Sequence, residues 1–247
     1  MTTTNFTAGA AALAAFGLLG AGLTGCSGSF SVGTKSTPAV SGPDLQKELT
    51  DKLTAAGNAP QSVTCKQDLP GEVGKTATCD VVFSDTNSVE AILTATSVEG
   101  DTVNFDIAPA LNKEQLQKAV AGLASTPTVR CDAGLAGTVG ASATCEVDVN
   151  GAVFKRIVTV SAVSGLAMDL DVTPVASKQQ VEDMLMERLA ADAAGPPDSV
   201  ACVDDVVAKS GNTVECVVTA AGTDQNFLVT VTTVDGDTIN FDYAAQP

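Results

Sequence analysis

SVTCKQDLPGEVGKTATC, residues 62–79, returns twice in altered form, as TVRCDAGLAGTVGASATC at 128–145 and SVACVDDVVAKSGNTVEC at 199–216. In each copy two cysteines stand 14 positions apart: Cys65 and Cys79, Cys131 and Cys145, Cys202 and Cys216. A glycine (Gly74, Gly140, Gly211) precedes the second cysteine by five residues. Repetition at this spacing divides most of the 247 residues into three units, 42–109, 110–174 and 175–247. Units of this size fold alone, but only marginally, because so little of a small chain can be buried.

The same order of elements is legible in each unit. Ser41-Gly42-Pro43-Asp44 reads as a helix start with proline in the first turn, and Leu45, Leu49 and Leu53 follow at intervals of four as one apolar stripe. Asn112 with Gln115, and Ser177 with Gln180, are capping boxes. They lead into stripes of Leu116, Val120 and Leu123, and of Val181, Met184, Leu185 and Leu189. Pro127 precedes the second cysteine strand, and Gly195-Pro196-Pro197 stops the third helix. After each helix come a short cysteine strand, a turn (Leu69-Pro70-Gly71 in the first copy) and longer strands. In 102–107, Val103, Phe105 and Ile107 alternate with Thr102, Asn104 and Asp106, the period of a strand with one wet face. The expected fold is α+β: three tandem small units, each an N-terminal helix packed on an approximately four-stranded antiparallel sheet. Neighbouring units are joined by short, stiff links around Pro109 and Pro174.

Residues 1–25 read as an export leader. The apolar stretch 8–23 is too short and too rich in glycine for a comfortable bilayer span. It ends in Leu23-Thr24-Gly25-Cys26, which resembles the bacterial lipobox, where the leader is cleaved and the cysteine receives a diacylglyceryl group. That resemblance implies a signal peptide and a lipid-modified (palmitate-type) Cys26 that holds the protein to the extracytoplasmic face of the cell membrane. Each buried methylene of such a chain adds about 0.8 kcal/mol to anchoring. The usual Lys or Arg near the N-terminus is missing. Residues 26–41, rich in Ser, Gly and Thr and without periodicity, read as a flexible tether.

The cysteine pairs admit either disulfides or metal and redox chemistry. An exported chain sits where disulfides persist, and no C-x-x-C or histidine completes a zinc site. One repeated spacing selects local pairing, so one structural disulfide per unit is expected.

With 13 basic and 29 acidic residues the formal net charge is −16, which repels phosphate backbones and argues against nucleic acid as a partner. The chain has no histidine, which removes Ser-His-Asp and Cys-His machinery and the commonest base near neutral pH. No catalytic residue, metal ligand or cofactor site is expected, and the chain reads as a non-enzyme. Asp101, Asp106, Asp169, Asp171, Asp237 and Asp242 read as a solvated sheet face and not as calcium ligands. The three motif glycines read as turn formers. Lys155-Arg156, the one adjacent basic pair, reads as an ordinary exposed edge.

A helix followed by Ser-Val-x-Cys, a short turn, Val-Gly-x-x-(Ala/Thr)-x-Cys and a V-T-V-T strand resembles the domain-of-unknown-function family numbered 4333, in three tandem copies. That family is common in lipoproteins and membrane-anchored proteins of mycobacteria and related actinobacteria. It often has proline just after the first cysteine, where Lys66, Asp132 and Val203 stand here, and Ser210 replaces Val73 and Val139 in the third copy. The resemblance implies an extracytoplasmic disulfide-bonded domain and carries no activity. The functional expectation is a lipid-anchored envelope protein whose three modules bind an envelope protein or a wall polymer. The alternatives are a carrier of an apolar ligand and a secreted-type inhibitor module. A carrier requires a sizeable apolar cavity, which a unit of this length can hardly enclose alone.

Overall fold

The computed structural model describes residues 2–5, 26–31, 38–125, 128–149, 151–192 and 196–247. The chain is mostly β and its sheets are antiparallel. Strands β1 (Thr2–Asn5) and β2 (Cys26–Ser31) precede the first unit, and β3 (Ala39–Val40) leads into its helix.

Helix α1 (Gly42–Ala55) starts where the sequence places it. The Ser41 hydroxyl accepts from the Asp44 N–H at 3.3 Å, and Leu45 and Leu49 are buried. Strands β4 (Ser62–Cys65), β5 (Leu69–Pro70), β6 (Thr76–Ser84), β7 (Asn87–Glu99) and β8 (Thr102–Leu111) complete the unit, and its main sheet runs β4-β6-β7-β8. The second unit repeats this with α2 (Lys113–Ala124), β9 (Val129–Cys131), β10 (Leu135–Ala136), β11 (Ser142–Val149), β12 (Ala152–Ser164) and β13 (Ala167–Ala176). The third has α3 (Lys178–Asp192), β14 (Ser199–Cys202), β15 (Val206–Val207), β16 (Thr213–Ala220), β17 (Thr223–Asp235) and β18 (Thr238–Ala245). Both capping boxes close reciprocally, Asn112 with Gln115 and Ser177 with Gln180. Each helix packs beside the first cysteine strand of its own unit.

The three disulfides form as expected, Cys65–Cys79, Cys131–Cys145 and Cys202–Cys216. In each, the two cysteines are directly opposed on adjacent antiparallel strands, with Cα atoms 3.8–3.9 Å apart. The motif glycines adopt φ of +85°, +89° and +88°, the left-handed region that glycine enters without a Cβ penalty. Their N–H groups donate to Ala95, Val160 and Val231 at 2.8 Å, where β7, β12 and β17 each carry a bulge. The cassette is therefore a plug: its turn docks into the bulge of its own third strand.

Three expectations need correction. First, the units are not independent modules. The segment expected as a turn, Leu69-Pro70, is a short strand, and its counterparts β10 and β15 pair with the last strand of the preceding unit, β8 and β13. In the first unit β5 pairs with β3, which takes the place of a preceding unit. Pro38, Pro109 and Pro174 sit at equivalent places, three residues before each helix cap, and accept from the N–H of Gly71, Gly137 and Ala208 at 2.6, 2.9 and 2.8 Å. A single cap residue, Asn112 or Ser177, joins the last strand of one unit to the next helix. The buried side chains of the first two units form one continuous cluster, whereas the third has its own.

Second, the expected tether carries β2, which lies antiparallel along β8, and β3. Its residues do alternate: Cys26, Gly28 and Phe30 stand opposite Ile107, Phe105 and Val103, and the intervening serines stand opposite Asp106, Asn104 and Thr102. Residues 32–37, Pro127, Gly195 and all of the expected leader except Thr2–Asn5 lie outside the described residues. Thr2–Asn5 runs along β13. Third, Lys155-Arg156 is not an ordinary exposed edge, as the junction it makes shows.

Candidate functional site

The last two strands of each unit end in a hairpin whose turn glycine, Gly100, Gly165 or Gly236, has positive φ. The residue after that glycine is Asp101, Leu166 or Asp237. In the second and third units this residue reaches the preceding unit. Asp237 ion-pairs with Arg156 of β12, and Leu166 lies over the first unit. The register on β7 and β12 makes the comparison residue by residue. Cys79 stands opposite Ala91 where Cys145 stands opposite Arg156, and Val81 stands opposite Val89 where Val147 stands opposite Phe154.

Between the second and third units these positions carry Phe154 and Arg156. The Arg156 guanidinium, only 8% exposed, lies 5.5 Å from the centre of the Phe154 ring and pairs with Asp237. Lys155 pairs with Asp205, which also accepts from the Lys178 N–H at 2.9 Å and so caps α3. Between the first and second units the small Val89 and Ala91 replace Phe154 and Arg156, and Leu166 replaces the aspartate. Val89 and Leu166 both line a cavity of about 400 Å³ at this junction. Its wall is mostly apolar: Leu49 and Leu53 of α1, Phe83 of β6, Ile107 of β8, and Leu166 and Met168 at the tip of the β12–β13 hairpin. The volume is within the range of small-molecule sites, about 300–1,000 Å³. Polar groups sit among the lining residues as well. They include Lys52, Gln115 and Asn58, whose Oδ1 is buried without a hydrogen-bond partner in the protein.

The six paired cysteines lie away from this cavity in the sheets. Cys26 does not: its Cα is opposite that of Ile107, a lining residue. Of the recurring acids expected on a wet face, Asp169 lines the cavity and Asp237 serves the Arg156 pair. Sequence reading missed the cavity, although one signal was present. Leu166 stands where the other copies have aspartate, an apolar residue at the tip of a hairpin that is charged in its siblings.

The Lys155–Asp205 contact makes the second junction sensitive to acid. The ammonium beside it, and then the Lys178 N–H, hold the Asp205 carboxyl below its usual value, and burial partly opposes this. The same hydrogen bond raises Lys155. A depressed carboxylate contributes stability above its unfolded pKa, near 3.9, and loses it as pH falls through the lower folded value. Wild type is therefore expected to lose its stability advantage over Asp205→Asn as pH drops below about 4. Paired urea titrations at pH 6 and pH 3 check this, and a difference that does not change with pH rejects it.

The family described as "Domain of unknown function (DUF4333)" matches residues 21–100 and 158–236. The matched segments hold the first and third cassettes, and the middle disulfide pair lies between them. No curated protein and no solved structure matches the chain.

Proposed function

Since the chain belongs to the DUF4333 family, whose description assigns no activity, we propose from its geometry that it is an extracytoplasmic binding protein that holds a small apolar ligand between its first two units. The observation that carries this reading is the mostly apolar cavity of about 400 Å³. A pocket of that size with a mostly apolar wall favours an apolar occupant, because covering the wall removes apolar surface from water. At the equivalent junction between the second and third units the buried Arg156 pairs with Asp237, a polar contact in place of an apolar lining. In this reading the middle unit is a third, diverged copy of the family domain. The leader delivers the protein across the membrane, and a lipid on Cys26 anchors it to the envelope surface, as in the actinobacterial lipoproteins that the sequence resembles. No substrate is turned over.

Titration with the apolar fluorophore N-phenyl-1-naphthylamine tests the reading. One equivalent is expected to bind with an emission rise. Val89→Phe, which installs the residue of the second junction, and Ala162→Trp, at an exposed lining position, should each weaken binding at least tenfold. Unchanged titrations in both variants would reject the cavity as the site.

A second reading keeps the units as interaction modules. It has one observation in its favour. Val73 and Val139, just before the motif glycines, are 68% and 62% exposed, repeating an apolar tip on successive units. Two weak contacts on one chain raise avidity without any new interaction.

A further inference from the structure

The geometry points to an occupant for the cavity: an acyl chain carried by the protein's own Cys26. This rests on the apolar-ligand reading above and on lipidation at Cys26. Strand β2 lies along the outer edge of β8 with Cys26 as its first residue, opposite Ile107 in the cavity wall. Cys26, Gly28 and Phe30 take the register positions of Ile107, Phe105 and Val103, and the last two are 1% and 0% exposed. Cys26 thus stands in register with a residue of the cavity wall. The serines take the positions of Asp106, Asn104 and Thr102.

A lipid attached at that point needs no tether to reach the cavity. The translational cost that a free ligand pays and the loop-closure cost of a distant attachment are both nearly absent, and the effective concentration is correspondingly high. The wall offers Leu49, Leu53, Phe83, Ile107, Leu166 and Met168, the surface an alkyl chain requires. Stable anchoring takes more than one chain in the bilayer. Withdrawing one acyl chain into the cavity therefore loosens the hold on the membrane. By reciprocity, any free apolar ligand that enters the cavity drives the acyl chain back to the bilayer and tightens that hold.

The chain has no tryptophan, so Phe83→Trp places a single indole in the cavity wall. Two forms are compared: the lipidated protein in vesicles, and an unlipidated Cys26→Ala form released from a cleavable secretory leader. Acrylamide quenching of the indole is expected to be at least threefold weaker in the lipidated form. Adding oleate should bring the Cys26→Ala form down to the same value and leave the lipidated form unchanged. Equal quenching of the two forms, with oleate still protecting the Cys26→Ala form, overturns this inference and leaves the apolar-ligand reading standing. If oleate protects neither form, both fall. An intact mass showing no lipid on Cys26 also overturns the inference.

Discussion

Leu116→Ala is expected to destabilise the first two units together, by about 2–5 kcal/mol, while the third unit is unaffected. Leu116 is fully buried in α2 and belongs to the cluster that runs without interruption from Val40 through Leu170. Helix α2 packs on β9 of its own sheet and also reaches β7 and β8 of the first unit. Truncating it opens a void facing both sheets, and the surroundings close such a void only in part. The chain supplies its own reporter for the distinction. Its single tyrosine, Tyr243, lies in β18 of the third unit, and there is no tryptophan. The far-UV signal should shift to lower urea while the transition followed by Tyr243 fluorescence stays in place. A Tyr243 transition that moves equally would mean that all three units unfold as one body.

The second large effect concerns the third unit. Replacing Cys202 and Cys216 together by alanine is expected to cost about 3 kcal/mol, the value for cross-linking a loop of this length in the chain-entropy account. That unit has a separate and smaller cluster that includes Val181, Leu185, Val229 and Val231. A core of that size rarely supplies more than about 3–5 kcal/mol, so the paired variant should keep only about 0–2 kcal/mol and unfold at low urea. Tyr243 fluorescence reads this directly. The same replacement at Cys131 and Cys145 should move the far-UV transition instead. A third unit that keeps its Tyr243 midpoint without the Cys202–Cys216 bond would show that docking onto β13, through β15 and the Arg156–Asp237 pair, holds it together.

What could be read ahead of the structure was local. The caps Ser41, Asn112 and Ser177, and apolar residues four and eight positions beyond each, mark the helices, because an α-helix is specified by neighbours within two turns. The cysteine pairing was legible because an equal spacing, repeated three times, leaves one pairing common to all. The glycines were identified as turn formers, and each does take a positive φ. The disulfides, the antiparallel sheets and the helix starts followed from such signals.

The rest depended on residues that meet only after the units dock. Leu69-Pro70, Leu135-Ala136 and Val206-Val207 are too short to show a period, and their partners lie beyond the helix that separates them in sequence. The role of Arg156 depends on Asp237, 81 positions away. The cavity is lined by residues as far apart in the chain as Leu49, Val89 and Leu166, which meet only once the first two units dock. Neighbours along the chain are enough to specify three disulfide-stapled repeats of helix and strands. That the first two share a core and leave an apolar pocket between them emerges only on docking, because the pocket belongs to neither unit and lies where their surfaces meet.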